Sequence, residues 1–160
     1  MRSAYQIAVF REHLAVQPRP GKEDALEIAA LVTWVLTAGA GLRLLVRWFS
    51  EGGPRRQGTK VTPYPAVVVL GHPTLAVLAL AAWVTFLLTG RSAYAWSAFG
   101  ALVLVALLGF VMLTRWLTGA GGKHARGAEQ GFPVVAVVAH GAVGTLTFVL
   151  VLLTAITVSR

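Results

Sequence analysis

The sequence contains no cysteine. Disulfide bonds, thiolate metal sites and covalent haem attachment through a CxxCH motif are therefore excluded. Acidic residues are also scarce, with 6 Asp and Glu against 14 Lys and Arg, and the formal net charge is +8. None of the six lies deep in an apolar segment, which argues against a proton- or cation-coupled transporter, since such proteins usually carry the ion on an intramembrane carboxylate. The six are Glu12, Glu23, Asp24, Glu27, Glu51 and Glu129.

Charged residues are few: they make up only 12% of the sequence, whereas 56% of the residues are hydrophobic. Soluble domains carry about 25% charged residues. Four apolar segments each have the length of about 20 residues that a helix needs to cross a bilayer. They lie at roughly 26–48, 65–89, 93–117 and 133–157. The sequence therefore predicts an all-α integral membrane protein with a four-helix transmembrane bundle over residues 26–160.

Residues 1–25 form a separate N-terminal polar or amphipathic segment. The apolar run Tyr5–Phe10 is too short for a cleavable signal peptide and is followed by charged residues. Ile7, Phe10 and Leu14 share one face if this segment is helical. Two interpretations stay open, a short helix on the membrane surface and a polar tail.

Aromatic residues mark the expected membrane interfaces. They are Trp48, Tyr64, Tyr94, Trp96 and Trp116. The two long loops, 50–63 and 118–131, are basic, and the positive-inside rule favours placing them in the cytoplasm with both termini outside. We expect a bacterial cytoplasmic membrane protein whose positive charge contacts anionic lipid head groups. Nucleic acid is not an expected partner, because the basic residues are scattered over loops and helix ends.

A shift of 68 positions aligns two parts of the chain without a gap. Residues 41–48, GLRLLVRW, lie over residues 109–116, GFVMLTRW, and residues 64–72, YPAVVVLGH, lie over residues 132–140, FPVVAVVAH. The matches include Gly, Arg, Trp, Pro and His, which a generic apolar helix does not supply. The sequence predicts two tandem, parallel helical-hairpin repeats, at about 26–90 and 93–157, related by a pseudo-twofold axis near the membrane normal.

This repeat places His72 and His140 at equal depth. Each lies seven residues past a proline, Pro65 or Pro133, and so about 10 Å inside the interface. A single histidine at this depth is commonly interhelical glue. Two at matched positions favour axial ligation of a haem iron, for which imidazole in an apolar bundle is suited. We predict His72 and His140 as the ligands of one haem b.

Two further matched pairs accompany the histidines. Gly41 and Gly109 lie at nearly the same depth and are predicted to give clearance for the porphyrin; tight helix packing is an equally good explanation. Arg47 and Arg115 lie on the same membrane side and are predicted to bind the haem propionates. For either arginine alone, snorkelling to lipid phosphates explains the position as well.

The hairpin plan and the paired histidines loosely resemble the small four-helix bis-histidine membrane cytochromes and the cytochrome b anchor subunits of respiratory complexes. That resemblance implies one-electron transfer, with quinone or a partner redox subunit as the exchange partner. Those families often carry four histidines for two haems, and only two lie in the spans here. Two alternatives remain, a non-catalytic membrane accessory or anchor subunit with structural histidines, and a small-solute or metal transporter.

Overall fold

The computed structural model describes residues 21–56, 65–119 and 131–160. Its four long helices are α1 (Lys22–Ser50), α2 (Ala66–Thr89), α3 (Ser92–Gly119) and α4 (Val134–Thr157). A one-turn helix, Gly53–Arg56, follows α1. Each long helix is long and apolar enough to span a membrane. The prediction of an all-α, four-helix integral membrane protein is confirmed, while residues 1–20 and most of both long loops lie outside the described residues.

Prolines set the start of both helices that follow a long loop. The carbonyl of Pro65 accepts hydrogen bonds from the N–H groups of Val68 and Val69, and that of Pro133 from Ala136 and Val137. Proline suits this position because its missing N–H would have no partner in the first turn. The sharp turn between α2 and α3 begins at Gly90, whose left-handed φ of 65° suits glycine and whose N–H reaches the Phe86 carbonyl at 2.8 Å.

The first helix begins earlier than its apolar segment, at Lys22 instead of residue 26. The Asp24 carboxylate accepts a hydrogen bond of 2.9 Å from the Gly21 N–H and so closes the helix start. Hydropathy marks only the part of a helix that lies in lipid. Polar turns with a good cap extend the helix beyond that part.

The four helices form a closed ring in the order α1, α2, α3, α4. The most extensive contacts join α2 to α3 and α1 to α4, and weaker ones join α1 to α2 and α3 to α4. Each hairpin's second helix therefore packs mainly on the first helix of the other hairpin. It follows that α2 and α4 are diagonal partners, so their inward faces meet near the bundle axis.

The hydrophobic core lies in the half of the bundle nearer the α2–α3 turn. Its aromatic part joins α1 to α2, with the rings of Trp34 and Trp83 6.3 Å apart and Phe86 5.1 Å from Trp83. Small residues, including Ala79, let the helices approach closely around these rings. A second, smaller cluster around Trp48 and Val69 closes the end nearer the long loops.

Burial repeats along the chain at a spacing of 68 residues, which is also the shift that aligns the sequence. Five pairs of buried residues have this spacing: Ala30 and Ala98, Trp34 and Leu102, Ala79 and Thr147, Trp83 and Val151, Phe86 and Thr154. Residues of different size occupy equivalent places in several pairs. The two hairpins therefore direct the same positions inward and differ in how they fill the space.

The fully buried Trp83 provides a test of this core. Its indole N–H has no hydrogen-bond partner in the described structure. Trp83→Ala should lower the free energy of unfolding by about 2 kcal/mol or more, because it leaves a cavity. Trp83→Phe should cost much less, because it keeps most of the ring and removes an unsatisfied donor.

Stability in both variants is measured by denaturant-induced unfolding in detergent micelles. Leu88→Ala is the control, because Leu88 lies on the lipid-facing surface with 81% of its area exposed. Equal losses for Trp83→Ala and Leu88→Ala would contradict the placement of Trp83 in the core.

Candidate functional site

The side chains of His72 and His140 meet inside the bundle. His72 lies on α2 and His140 on α4, and their ring centroids are 6.1 Å apart with the planes inclined at 65°. The two residues are far apart in sequence and are brought together because their helices are diagonal partners in the ring. The two histidines, which the sequence predicts to lie at equal depth, are thus also close to each other in the structure.

Each imidazole is held by a backbone carbonyl of a neighbouring helix. The His72 Nδ1–H donates to the carbonyl of Val105 on α3 at 3.0 Å, and the His140 Nδ1–H donates to the carbonyl of Thr37 on α1 at 3.0 Å. A carbonyl can only accept, so this contact places the ring proton on Nδ1. The Nε2 atom of each ring keeps its lone pair, and no described residue bonds to it. Such a second contact fixes the tautomer of a metal-ligating histidine.

A glycine lies against each imidazole. A Cβ at Gly41 would come within 2.8 Å of Cε1 of His140, and a Cβ at Gly109 within 3.2 Å of Cε1 of His72. The space in front of these glycines is therefore filled by the two imidazoles. The predicted clearance for a porphyrin stays a prediction; the contact in the structure is to the histidine ring.

The half of the bundle between the histidines and the long loops holds the smaller of the two buried clusters in the described structure. Its buried apolar side chains in the described structure are Trp48 and Val69, whereas the opposite half holds the larger core. The indole N–H of Trp48 is enclosed with no described acceptor. A polar donor left unpaired in an apolar interior is costly and requires an explanation, such as a bound water or ligand.

The two predicted propionate-binding arginines lie on the surface. Arg47 pairs with Glu51 one helical turn later, at 2.8 Å between Nε and Oε1, and its side chain is 43% exposed. A Cβ at Gly131 would meet Glu51 Oε2 at 2.7 Å, so the Glu51 carboxylate also touches the chain just before α4. Arg115 is exposed on α3. The structure does not test their role toward a propionate, which stays a prediction.

Sequence reasoning missed the two carbonyl acceptors, Thr37 and Val105. Their positions differ by 68 residues, as those of the histidines and glycines do. Each precedes its glycine by four residues and therefore lies one helical turn away on the same face. A backbone carbonyl has no residue-type signature, so only the repeat spacing could have pointed to this pair.

Among the described residues, no group of three or more His, Asp or Glu side chains is arranged to hold a metal ion. The two histidines thus supply two nitrogen ligands and no more in this part of the chain. Structural zinc sites need four protein ligands and catalytic ones three. A haem iron, which brings four ligands of its own, needs two.

No protein-family model, curated protein or solved structure matches this chain.

The contacts at Gly41 and Gly109 predict how strongly an alanine at each position lowers the stability of the ligand-free protein. Gly41→Ala should destabilise the fold by about 1–3 kcal/mol, because the new methyl group overlaps the His140 ring and forces it or α1 to move. Gly109→Ala should cost less, because its Cβ contact is longer. The variants are compared by thermal unfolding in detergent.

Each glycine has a matched control on its own helix. Gly39 on α1 and Gly100 on α3 have no atom within 4 Å of an added Cβ. Gly39→Ala and Gly100→Ala should leave stability unchanged or raise it slightly, since alanine has the higher helix propensity. If Gly41→Ala is as stable as Gly39→Ala, the His140 ring is not seated against Gly41.

Proposed function

We propose that this protein is a membrane b-type cytochrome, or the haem-bearing membrane subunit of a redox complex, in which His72 and His140 hold one haem b. The observation that carries the proposal is the paired imidazoles on diagonal helices, each with Nδ1 bonded to a backbone carbonyl and Nε2 left for a metal. In an apolar helix bundle, this is the ligand chemistry that a bis-histidine haem uses.

The distances fit such a ligand pair. Two imidazoles that would bind one metal ion, each through a nitrogen at about 2.0 Å, must have ring centroids within about 6 Å of each other. The centroids of His72 and His140 lie 6.1 Å apart. The hydrogen bonds to the carbonyls of Val105 and Thr37 would orient the rings and raise their basicity as ligands.

The surroundings supply further support. Trp48, in the smaller cluster at the loop end of the bundle, has an enclosed indole N–H with no described acceptor, and a polar group of a bound ligand would satisfy it. We keep Arg47 and Arg115 as the proposed partners of the propionates, because a charge-assisted pair with arginine suits a carboxylate. For Arg47 this requires sharing or opening its pair with Glu51.

A bound haem would supply one-electron redox chemistry at a site shielded from water. The chain's contribution is to hold the two imidazoles, to exclude solvent with the core around Trp34 and Trp83, and to fix the depth of the site. That depth is about 10 Å from the loop-side surface, by helix rise from Pro65 to His72. We propose a quinone or a partner redox subunit as the exchange partner, approaching from that side.

A second function has an observation of its own in its favour. The hydrogen bonds from His72 to α3 and from His140 to α1 are the contacts that interhelical glue would make. The protein would then be a non-catalytic anchor or accessory subunit with structural histidines. The third candidate, a metal or solute transporter, fits less well, because the two histidines are short of the ligands that a metal ion needs and no described carboxylate joins them in a metal-binding group.

We also propose that the two hairpins are tandem repeats. The support is a common spacing of 68 residues between the two members of each matched pair. It holds for the two histidines, the two glycines beside them, the two carbonyl acceptors and the five buried pairs. A pseudo-twofold axis along the bundle would exchange α1 with α3 and α2 with α4. The packing of α1 on α4 and of α2 on α3 is consistent with that exchange.

Absorption spectroscopy separates the candidates. The protein is expressed with haem supply, purified in detergent and recorded oxidised and dithionite-reduced. We expect a Soret band and sharp reduced b-type bands, lost in His72→Ala and in His140→Ala because each variant removes one axial ligand. His13→Ala and His124→Ala, which change the histidines outside the four spans, are the controls and should keep the spectrum.

A folded protein that remains colourless after haem reconstitution would refute the cytochrome and leave the anchor subunit. Retention of normal spectra in both span variants would show that haem binds elsewhere.

We propose that the long loops face the cytoplasm of a bacterial cell, because they carry slightly more of the basic residues near helix ends. The absence of native cysteine permits a direct test by single-cysteine labelling. In intact cells, an impermeant maleimide should label Ser3→Cys and Arg160→Cys and leave Thr59→Cys and Ala125→Cys unlabelled until the cells are opened.

The inverse labelling pattern would reverse the orientation and preserve the fold. Labelling of Thr59→Cys and Ala125→Cys on opposite sides of the membrane would contradict four spans. The cysteine-free parent chain is the control for background labelling.

A further inference from the structure

The planes of the two imidazoles are steeply inclined to one another, at 65°. A hydrogen bond at Nδ1 alone leaves a ring free to rotate about the direction of that bond. A second contact is needed to define its plane. In this protein the second contact of each ring is a glycine on the helix that also supplies the carbonyl.

Each ring thus bonds to one point of a helix and occupies the space that a side chain at a second point of the same helix would need. His140 bonds to the Thr37 carbonyl of α1 and lies against Gly41 one turn later. His72 bonds to the Val105 carbonyl of α3 and lies against Gly109 one turn later. Because the two carrier helices differ, the angle between the rings depends on how α1 and α3 are oriented in the bundle, and not on the histidine rotamers alone.

We propose that Gly41 and Gly109 are positioning residues that hold the imidazole planes of His72 and His140 steeply inclined when the two rings bind one ferric haem iron. This rests on the proposed cytochrome function. The consequence is electronic. An imidazole donates π density into the iron d orbital that lies perpendicular to its plane. Two such d orbitals are available to the rings. Two parallel rings both donate into the same one of these orbitals and so separate the two in energy. Two steeply inclined rings donate into both orbitals and leave the two close in energy.

Near-degenerate d orbitals give a low-spin ferric iron a strongly anisotropic paramagnetic signal. We expect the oxidised, haem-loaded wild-type protein to show, at liquid-helium temperature, one dominant low-field feature at a g value above that of parallel bis-imidazole haem. A rhombic spectrum with three resolved g values, typical of parallel rings, would overturn the inference. The wild-type spectrum decides this without any variant.

Glycine variants test which residues set the angle. In Gly41→Ala the new methyl group displaces the His140 ring, and in Gly109→Ala the displacement of His72 is smaller. We expect the low-field feature to shift in both, with the larger shift in Gly41→Ala. Gly39→Ala and Gly100→Ala lie on the same two helices with open space at the added Cβ and should match the wild type.

The outcomes separate this inference from the function on which it rests. If the wild type binds no haem, the cytochrome proposal fails. If haem binds through both histidines and the two glycine variants give the wild-type signal, the function stands and the positioning role is wrong. If Gly41→Ala does not load haem, the milder Gly109→Ala decides between these results. Failure of both to load while thermal unfolding shows them to be folded, with both controls loading normally, would be the loss expected when displaced rings cannot reach the iron.

Discussion

Hydrocarbon offers no hydrogen-bond partner, and this constraint governs both the fold and the site. Backbone groups must be paired within the segment, which makes four helices the solution for four apolar runs. The same demand applies to side chains. His72 and His140 each carry an N–H into the bundle, and each donates it to a backbone carbonyl of an adjacent helix. These two bonds join α2 to α3 and α4 to α1, which are also the most closely packed pairs.

Pairing one nitrogen of each ring leaves the other unpaired. The Nε2 atoms of the two imidazoles have no hydrogen-bond partner among the described residues. A structural histidine fulfils its role with the Nδ1 bond alone. The proximity of the second ring, with centroids 6.1 Å apart, is the observation on which the proposed shared iron depends.

The glycines illustrate how small residues serve a site in a membrane. Association of helices in lipid depends on close packing, and small residues allow it. At Gly41 and Gly109 the space is taken by an imidazole of the neighbouring helix, whereas Gly39 and Gly100 have open space before them. The same residue type therefore has two different roles on one helix, and sequence alone does not distinguish them. The Trp34–Trp83 cluster performs the complementary task, since its bulk fills the other half of the bundle.

The sequence by itself determined the four spans, the helix starts at Pro65 and Pro133, and the equal distance of His72 and His140 from those helix starts. These follow from hydropathy, from proline chemistry and from the fixed rise of a helix, which are local properties of the chain. The Arg47–Glu51 pair was not predicted, although its spacing of four residues is that of a helical ion pair. Only the tertiary structure decided which helices are neighbours and that the histidine rings meet. It also decided that Thr37 and Val105 supply the acceptors. Which helices are neighbours depends on how side chains of distant segments fit together, and the sequence carries no local pattern for this. A backbone carbonyl is present at every residue, so the sequence does not mark the ones that accept a hydrogen bond.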